Sequence, residues 1–297
     1  MSFGSLKTIV VATDLHGQCE AALEYASKLA RAYGARIVLA HGADPLEYAA
    51  VEPLPSGVVR KLEEPVRKVL EAMAADLLRE GIHSHSEIRQ GAVAEMLVEV
   101  ALQYQAGLVV IGTEGREGVG PVVVGAIAEQ LVRLAPCPVL AVSADWNAGP
   151  HRPTPGGPVL LTIERNEAAH AAAEAAYSLA ETFARPLYLL HARTPAEVTA
   201  FLNPCATRIE DYGVRPTGKV VVHCLVKDGN PADAAESAIA QHHPSMLVVG
   251  VKRASHTPGP HGTAFALLAR SRVPVLCVPP ELEPATAEQE MAASVEA

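Results

Sequence analysis

Val110-Ile111-Gly112-Thr113-Glu114-Gly115, nine further residues, Gly125-Ala126, and then Pro136-Cys137-Pro138-Val139-Leu140 form the stretch that decides the fold. An apolar, β-branched run reads as a buried strand. It stops at Gly112, and the glycine-bracketed loop that follows re-enters a helix at Gly125. Such a loop presents backbone N–H groups and a helix N-terminus to an anion. A second stretch repeats the design: Val248-Val249-Gly250-Val251-Lys252-Arg253, eight residues, Gly262-Thr263, and then Val273-Pro274-Val275-Leu276. The chain reads as a duplicated nucleotide-binding fold whose two copies have diverged.

Alignment within the chain supports the duplication. Gly91 to Gly112 and Gly229 to Gly250 each span 22 residues, at an offset of 138. Ile37-Val38-Leu39-Ala40-His41 matches Leu187-Tyr188-Leu189-Leu190-His191 at an offset of 150, and there Asp14 falls on Glu164. The second copy is therefore about 12 residues shorter between its second strand and Gly229. A repeat of this length is a domain rather than a solenoid unit.

At 297 residues the prior is two domains. Aromatic residues are only 4% of the chain, so Ala, Val and Leu must fill the core, as suits parallel strands covered by helices. A net charge of −9 argues against nucleic acid or an anionic membrane as partner. No apolar run is long enough to span a bilayer. The start Met1-Ser2-Phe3-Gly4-Ser5 lacks a signal-peptide layout. Five cysteines without CxxC spacing read as reduced thiols, and the expectation is a cytoplasmic protein.

Strands are expected at Thr8–Thr13, Ile37–Ala40, His83–Arg89, Leu108–Gly112 and Val139–Val142. Helices are expected at 18–33, 57–80, 92–106 and 125–134. Pro65 should bend the second helix or begin a new one. The alternation implies a parallel sheet with right-handed crossovers. The second copy should repeat it, with strands near 158–163, 186–191, 219–225, 246–250 and 274–278. The expected organisation is a first domain over 1–146, a Pro/Gly linker over 147–157, a second domain over 158–280 and a fraying tail over 281–297.

The spacing Gly112-x2-Gly115-x9-Gly125, the Ala-Pro-Cys-Pro-Val-Leu ending and an aspartate closing the first strand together resemble the universal stress protein family. The match covers residues 7–143 well and 158–279 more weakly. The resemblance implies two Rossmann-like α/β domains, each a five-stranded parallel sheet with helices on both faces. They would associate through their last strands as an internal pseudo-dimer, and a homodimer is compatible with this. The implied ligand is an adenine nucleotide, ATP, ADP or AMP, with or without Mg. Its expected contacts are Ala12, Thr13, Asp14, Gly112, Gly115, Arg116, Gly125 and Ala126. Asp14 is placed to accept ribose hydroxyls. Gly112 and Gly115 let the backbone approach phosphates, and the helix start at Gly125 faces them.

This chain departs from the family pattern. The family's Ser/Thr after the third glycine is Ala126, and one such hydrogen bond to a charged group is worth roughly 1.5–3 kcal/mol. Glu114, Arg116 and Glu117 leave the loop acidic. In the second half Glu164 replaces the aspartate and Arg253 stands at the second glycine, so its site is expected to be empty. Metal and nucleophile signals are weak. His83 and His85 share a strand face, His242-His243 end a helix, and His256 and His261 lie in a loop without partners at a recognised spacing. His41 and His191 end the second strands, and Cys137 reads as a buried turn thiol. No catalytic elbow or Walker lysine is present. The alternatives to a nucleotide-binding stress module are a weak ATP hydrolase or phosphotransfer enzyme, and a ligand-free structural stress protein.

Overall fold

The computed structural model describes residues 5–15, 18–43, 56–113, 126–144, 146, 156–164, 167–193, 208–252 and 262–281; side chains of 56–62 and of Ala126 fall outside that description. The strands are β1 (Thr8–Ala12), β2 (Arg36–Ala43), β3 (Ser84–Gln90), β4 (Leu108–Thr113), β5 (Val139–Ser143), β6 (Val159–Thr162), β7 (Leu187–Arg193), β8 (Val222–Asp228), β9 (Met246–Gly250) and β10 (Val275–Val278). The helices are α1 (Gln18–Tyr33), α2 (Ser56–Arg79), α3 (Val93–Gln103), α4 (Ala126–Leu134), α5 (Ala169–Thr182), α6 (Pro231–His242) and α7 (Thr263–Arg270).

Each half is a five-stranded parallel sheet. The order runs 3-2-1-4-5 in the first half, and β8-β7-β6-β9-β10 is its counterpart in the second. The two sheets are continuous: β5 pairs antiparallel with β10 through Val275–Ala141, Leu276–Leu140 and Cys277–Val139, giving one ten-stranded sheet. Alternation along the strands feeds two core layers. Ile9 and Val11 face the layer built with α1, α2 and α5, while Val10 faces the layer built with α3, α4, α6 and α7. Both layers run through both halves. Alanines allow close helix–sheet approach. Ala172, Ala173, Ala175, Ala176 and Ala180 are all buried along α5.

The aligned glycines Gly91 and Gly229 both adopt left-handed φ, 126° and 109°, so the two copies turn alike where only glycine is unstrained. Local signals explain other boundaries. Asn230 caps α6 by accepting the Ala232 N–H at 2.8 Å, with Pro231 at the first helical position.

One expectation is corrected, and two further features emerge. Pro65 does not begin a new helix, because α2 runs unbroken from Ser56 to Arg79 with its buried Leu70 and Leu77 pinned to the core. Trp146, just before the expected linker, is buried. It packs edge-on against Tyr25 with ring centroids 5.3 Å apart and lies under the Lys28 ammonium at 4.7 Å. The second copy also lacks a counterpart of α2 among the described residues. Between β7 and β8 they show only a short 3-10 helix, Ile209–Tyr212, consistent with the missing residues. The rest of the expected linker and the tail beyond Glu281 lie almost wholly outside the described residues. No described helix is long and apolar enough to cross a membrane.

Candidate functional site

In a doubly wound sheet the ligand crevice opens at the carboxyl ends of the two strands where the order reverses. In the first half these are β1 and β4. The sequence-predicted residues Ala12, Thr13 and Asp14 lie at and just beyond the end of β1, and Gly112 is the penultimate residue of β4. The structure therefore brings these four to one crevice. Ala126 is the first residue of α4. Gly115, Arg116 and Gly125, also expected at the site, lie outside the described residues.

The β1 end is tightly specified. The Thr13 N–H donates to Ala40 O at 2.9 Å, and His41 Nδ1 lies 2.8 Å from Thr13 O. A carbonyl only accepts, so Nδ1 carries the proton there. His41 thus serves the local hydrogen bonding of the cleft edge. Leu15 takes a left-handed φ of 63°, unusual for a bulky residue. Its N–H donates to Thr13 Oγ1 at 3.1 Å, which holds the turn. Thr13 is buried, and the neighbouring Asp14 is exposed at the end of β1. Sequence reasoning missed Cys19. It lies in the first turn of α1, 3.2 Å from Thr13 Oγ1, and only the fold reveals that contact.

The equivalent strand ends of the second half border a small cavity among the described residues. Leu161, Thr162, Ile163, Glu164, Ala169 and Gly250 line a residual cavity of about 10 Å³ that Tyr212 caps. That is room for one water at most. The cap is anchored: Ile209 is buried, Tyr212 O lies 2.6 Å from His170 Nδ1 on α5, and the Thr217 N–H donates to Tyr177 Oη at 2.8 Å. Thr162 turns its hydroxyl away to Val248 O at 3.3 Å. Glu164 Oε1 is buried there without a hydrogen-bond partner among the described residues.

The remaining candidates are scattered. His85 is exposed, 3.4 Å from Glu87, and its ring tilts toward Tyr104; His83 lies just before β3. His242 packs edge-on against Tyr188, and His243 ends α6 in a left-handed turn. His256 and His261 lie outside the described residues. Among the described residues, no three His, Cys, Asp or Glu side chains converge as metal ligands. Burial pushes the Cys137 thiol up to about 12, which keeps it protonated and unreactive at neutral pH.

Residues 5–143 match the model of the universal stress protein family. A universal stress protein of Methanocaldococcus jannaschii is 39% identical over 62 residues, 21% of this chain and 36% of the relative. One from Synechocystis is 33% identical over 79 residues, 27% of this chain and 50% of the relative. The chain thus aligns with half or less of these curated relatives' lengths. Over nearly its full length it shares the fold of a universal stress protein from Archaeoglobus fulgidus. That likeness has a TM-score of 0.71 and 17% identity, covering 92% of this chain and 98% of the other. A Pseudomonas aeruginosa structure of similar description has a TM-score of 0.63 and 18% identity over 98% of this chain and 99% of that one. Residues 5–143 thus carry the match to the universal stress protein family, and the second half repeats the strand order of the first.

Proposed function

We propose that the first half binds one adenine nucleotide and that the chain acts as a nucleotide-responsive stress module. The observation that carries this is the convergence of Asp14 and Gly112 at the β1/β4 switch point, with α4 opening at Ala126. A carboxylate there can accept both ribose hydroxyls. A glycine at the strand end admits phosphates close to the backbone. The family's loop pattern at Gly112, Gly115 and Gly125 points to the same ligand. Arg116 would supply a cation in an otherwise acidic loop. The second half carries no nucleotide in this reading, because Glu164 and Arg253 depart from the pattern and Tyr212 borders a cavity of only about 10 Å³ there. The β5–β10 pairing supports reading the two halves as an internal pseudo-dimer, with domains over 1–146 and 158–280.

Asp14→Ala tests the site in the full chain. Loss of a hydrogen-bonding charged group costs roughly 1.5–3 kcal/mol, so ATP affinity should fall about ten- to a hundredfold. Measured by thermal shift across a nucleotide series, unchanged affinity in the variant would place the ligand elsewhere.

A further inference from the structure

The amino ends of β1, β2 and β3 carry a row of basic residues, at the opposite end of the first sheet from Asp14 and Gly112. Lys7 precedes β1, Arg36 opens β2 and His83 precedes β3. The Arg36 N–H donates to Lys7 O and the Ile37 N–H to His83 O, both at 2.9 Å, which sets the three residues side by side. Neighbouring strands lie about 4.8 Å apart, so the row spans about 10 Å. All three residues are exposed and line one cavity of about 1290 Å³. Arg36 is oriented there: its Nε donates to Thr8 Oγ1 at 3.0 Å, and its guanidinium lies 5.8 Å from the centre of the Tyr104 ring. Among the described residues no carboxylate pairs with Lys7, Arg36 or His83, whereas Arg31, which lines the same cavity, is matched by Glu80 at 2.6 Å. The second half adds Glu174 and Glu281 to the lining, so the cavity is of mixed charge and its unpaired basic groups are those of the row.

The second half supplies a natural comparison. At the offset of 150, Lys7 falls on Gly157 and Arg36 on Pro186; at the offset of 138, His83 falls on Val221. The backbone arrangement is kept, with the Leu187 N–H donating to Val221 O at 2.9 Å, yet every basic group is gone. The shared fold therefore does not need these charges.

We propose that the Lys7–Arg36–His83 row is a second ligand site, separate from the nucleotide crevice, for a small organic bisphosphate whose two phosphates sit apart. Arg36, preset by Thr8 and Tyr104, offers a phosphate its forked donors. Lys7 on one side supplies a point charge, and His83 on the other a ring N–H. A span of about 10 Å suits two separated phosphates better than one, and better than the compact triphosphate of ATP. A row this short, on a chain of net charge −9, does not favour nucleic acid.

The test is calorimetry on the full chain at low salt, where exposed charges are least screened. Fructose 1,6-bisphosphate is the probe and fructose 6-phosphate its one-phosphate control. The bisphosphate should bind one site per chain, about tenfold or more tighter than the monophosphate. Arg36→Gln should weaken it about tenfold and Lys7→Gln severalfold, with far-UV circular dichroism and Trp146 fluorescence unchanged. Asp14→Ala should leave it unaltered. Bisphosphate binding lost in Asp14→Ala but intact in Lys7→Gln and Arg36→Gln would move the ligand to the nucleotide crevice and overturn the proposal. Equal affinity for the two sugars, or no bisphosphate binding at millimolar concentration, would overturn it as well. The row shares no residue with the nucleotide crevice, so failure of either reading leaves the other standing.

Discussion

Leu276→Ala should destabilise both halves, not only the one that carries it. Leu276 is fully buried on β10, opposite Leu140 across the antiparallel seam and beside Val248 on β9. Truncating such a leucine costs about 2–5 kcal/mol, part transfer and part cavity. With a urea m-value of about 3 kcal/mol/M, the unfolding midpoint should drop by roughly 1 M. The chain contains a single tryptophan, and Trp146 reports on the first half because it packs against Tyr25 and Lys28 of α1. The seam joins the sheets, and both core layers run through the two halves, so unfolding should be cooperative. Fluorescence from Trp146 and far-UV circular dichroism should therefore shift together in the variant. An unmoved Trp146 transition beside an earlier, separate loss of ellipticity would refute the idea that the seam couples the halves.

Alkaline stability should also respond to buried thiols. Burial raises both Cys137 and Cys277 from 9.0 to about 12. A folded pKa above the unfolded one gives stability that is complete below pH 9 and is lost as pH climbs toward 12, at up to about 1.4 kcal/mol per unit for each thiol. The urea midpoint should fall over this range, less steeply in Cys277→Ala; equal slopes would contradict the assignment. Ala126→Ser should add a hydroxyl at the start of α4 and tighten ATP binding severalfold in calorimetry, with little gain for adenosine. Equal gains for both ligands would mean that the phosphates lie elsewhere.

Much of this architecture is legible in the chain because its signals are local and repeated. Thr8–Ala12, Leu108–Thr113 and Met246–Gly250 are apolar runs ending at polar or glycine residues, and each forms a strand. The glycine offset of 138 finds the duplication, and the strand ends at Asp14 and Gly112 are read correctly. What escapes depends on contacts far apart in sequence. Tyr212 becomes a cap only because the shortened β7–β8 connection folds back on α5, and nothing in its neighbours announces that. Cys19 reads as one more small helical residue until the fold sets its sulfur 3.2 Å from Thr13 Oγ1. Trp146 stands beside a proline- and glycine-rich segment whose composition masks a single buried ring. Pro65 begins no new helix because tertiary burial of Leu70 and Leu77 outweighs a local break.

The most direct test is the stoichiometry of ATP binding to the full chain by isothermal titration calorimetry. Asp14 and Gly112 at the first crevice, with the cavity of roughly 10 Å³ beside Glu164 in the second half, predict one site per chain, abolished or strongly weakened by Asp14→Ala and unchanged by Glu164→Ala. Two equivalent sites, or one site sensitive to Glu164 and indifferent to Asp14, would contradict the account.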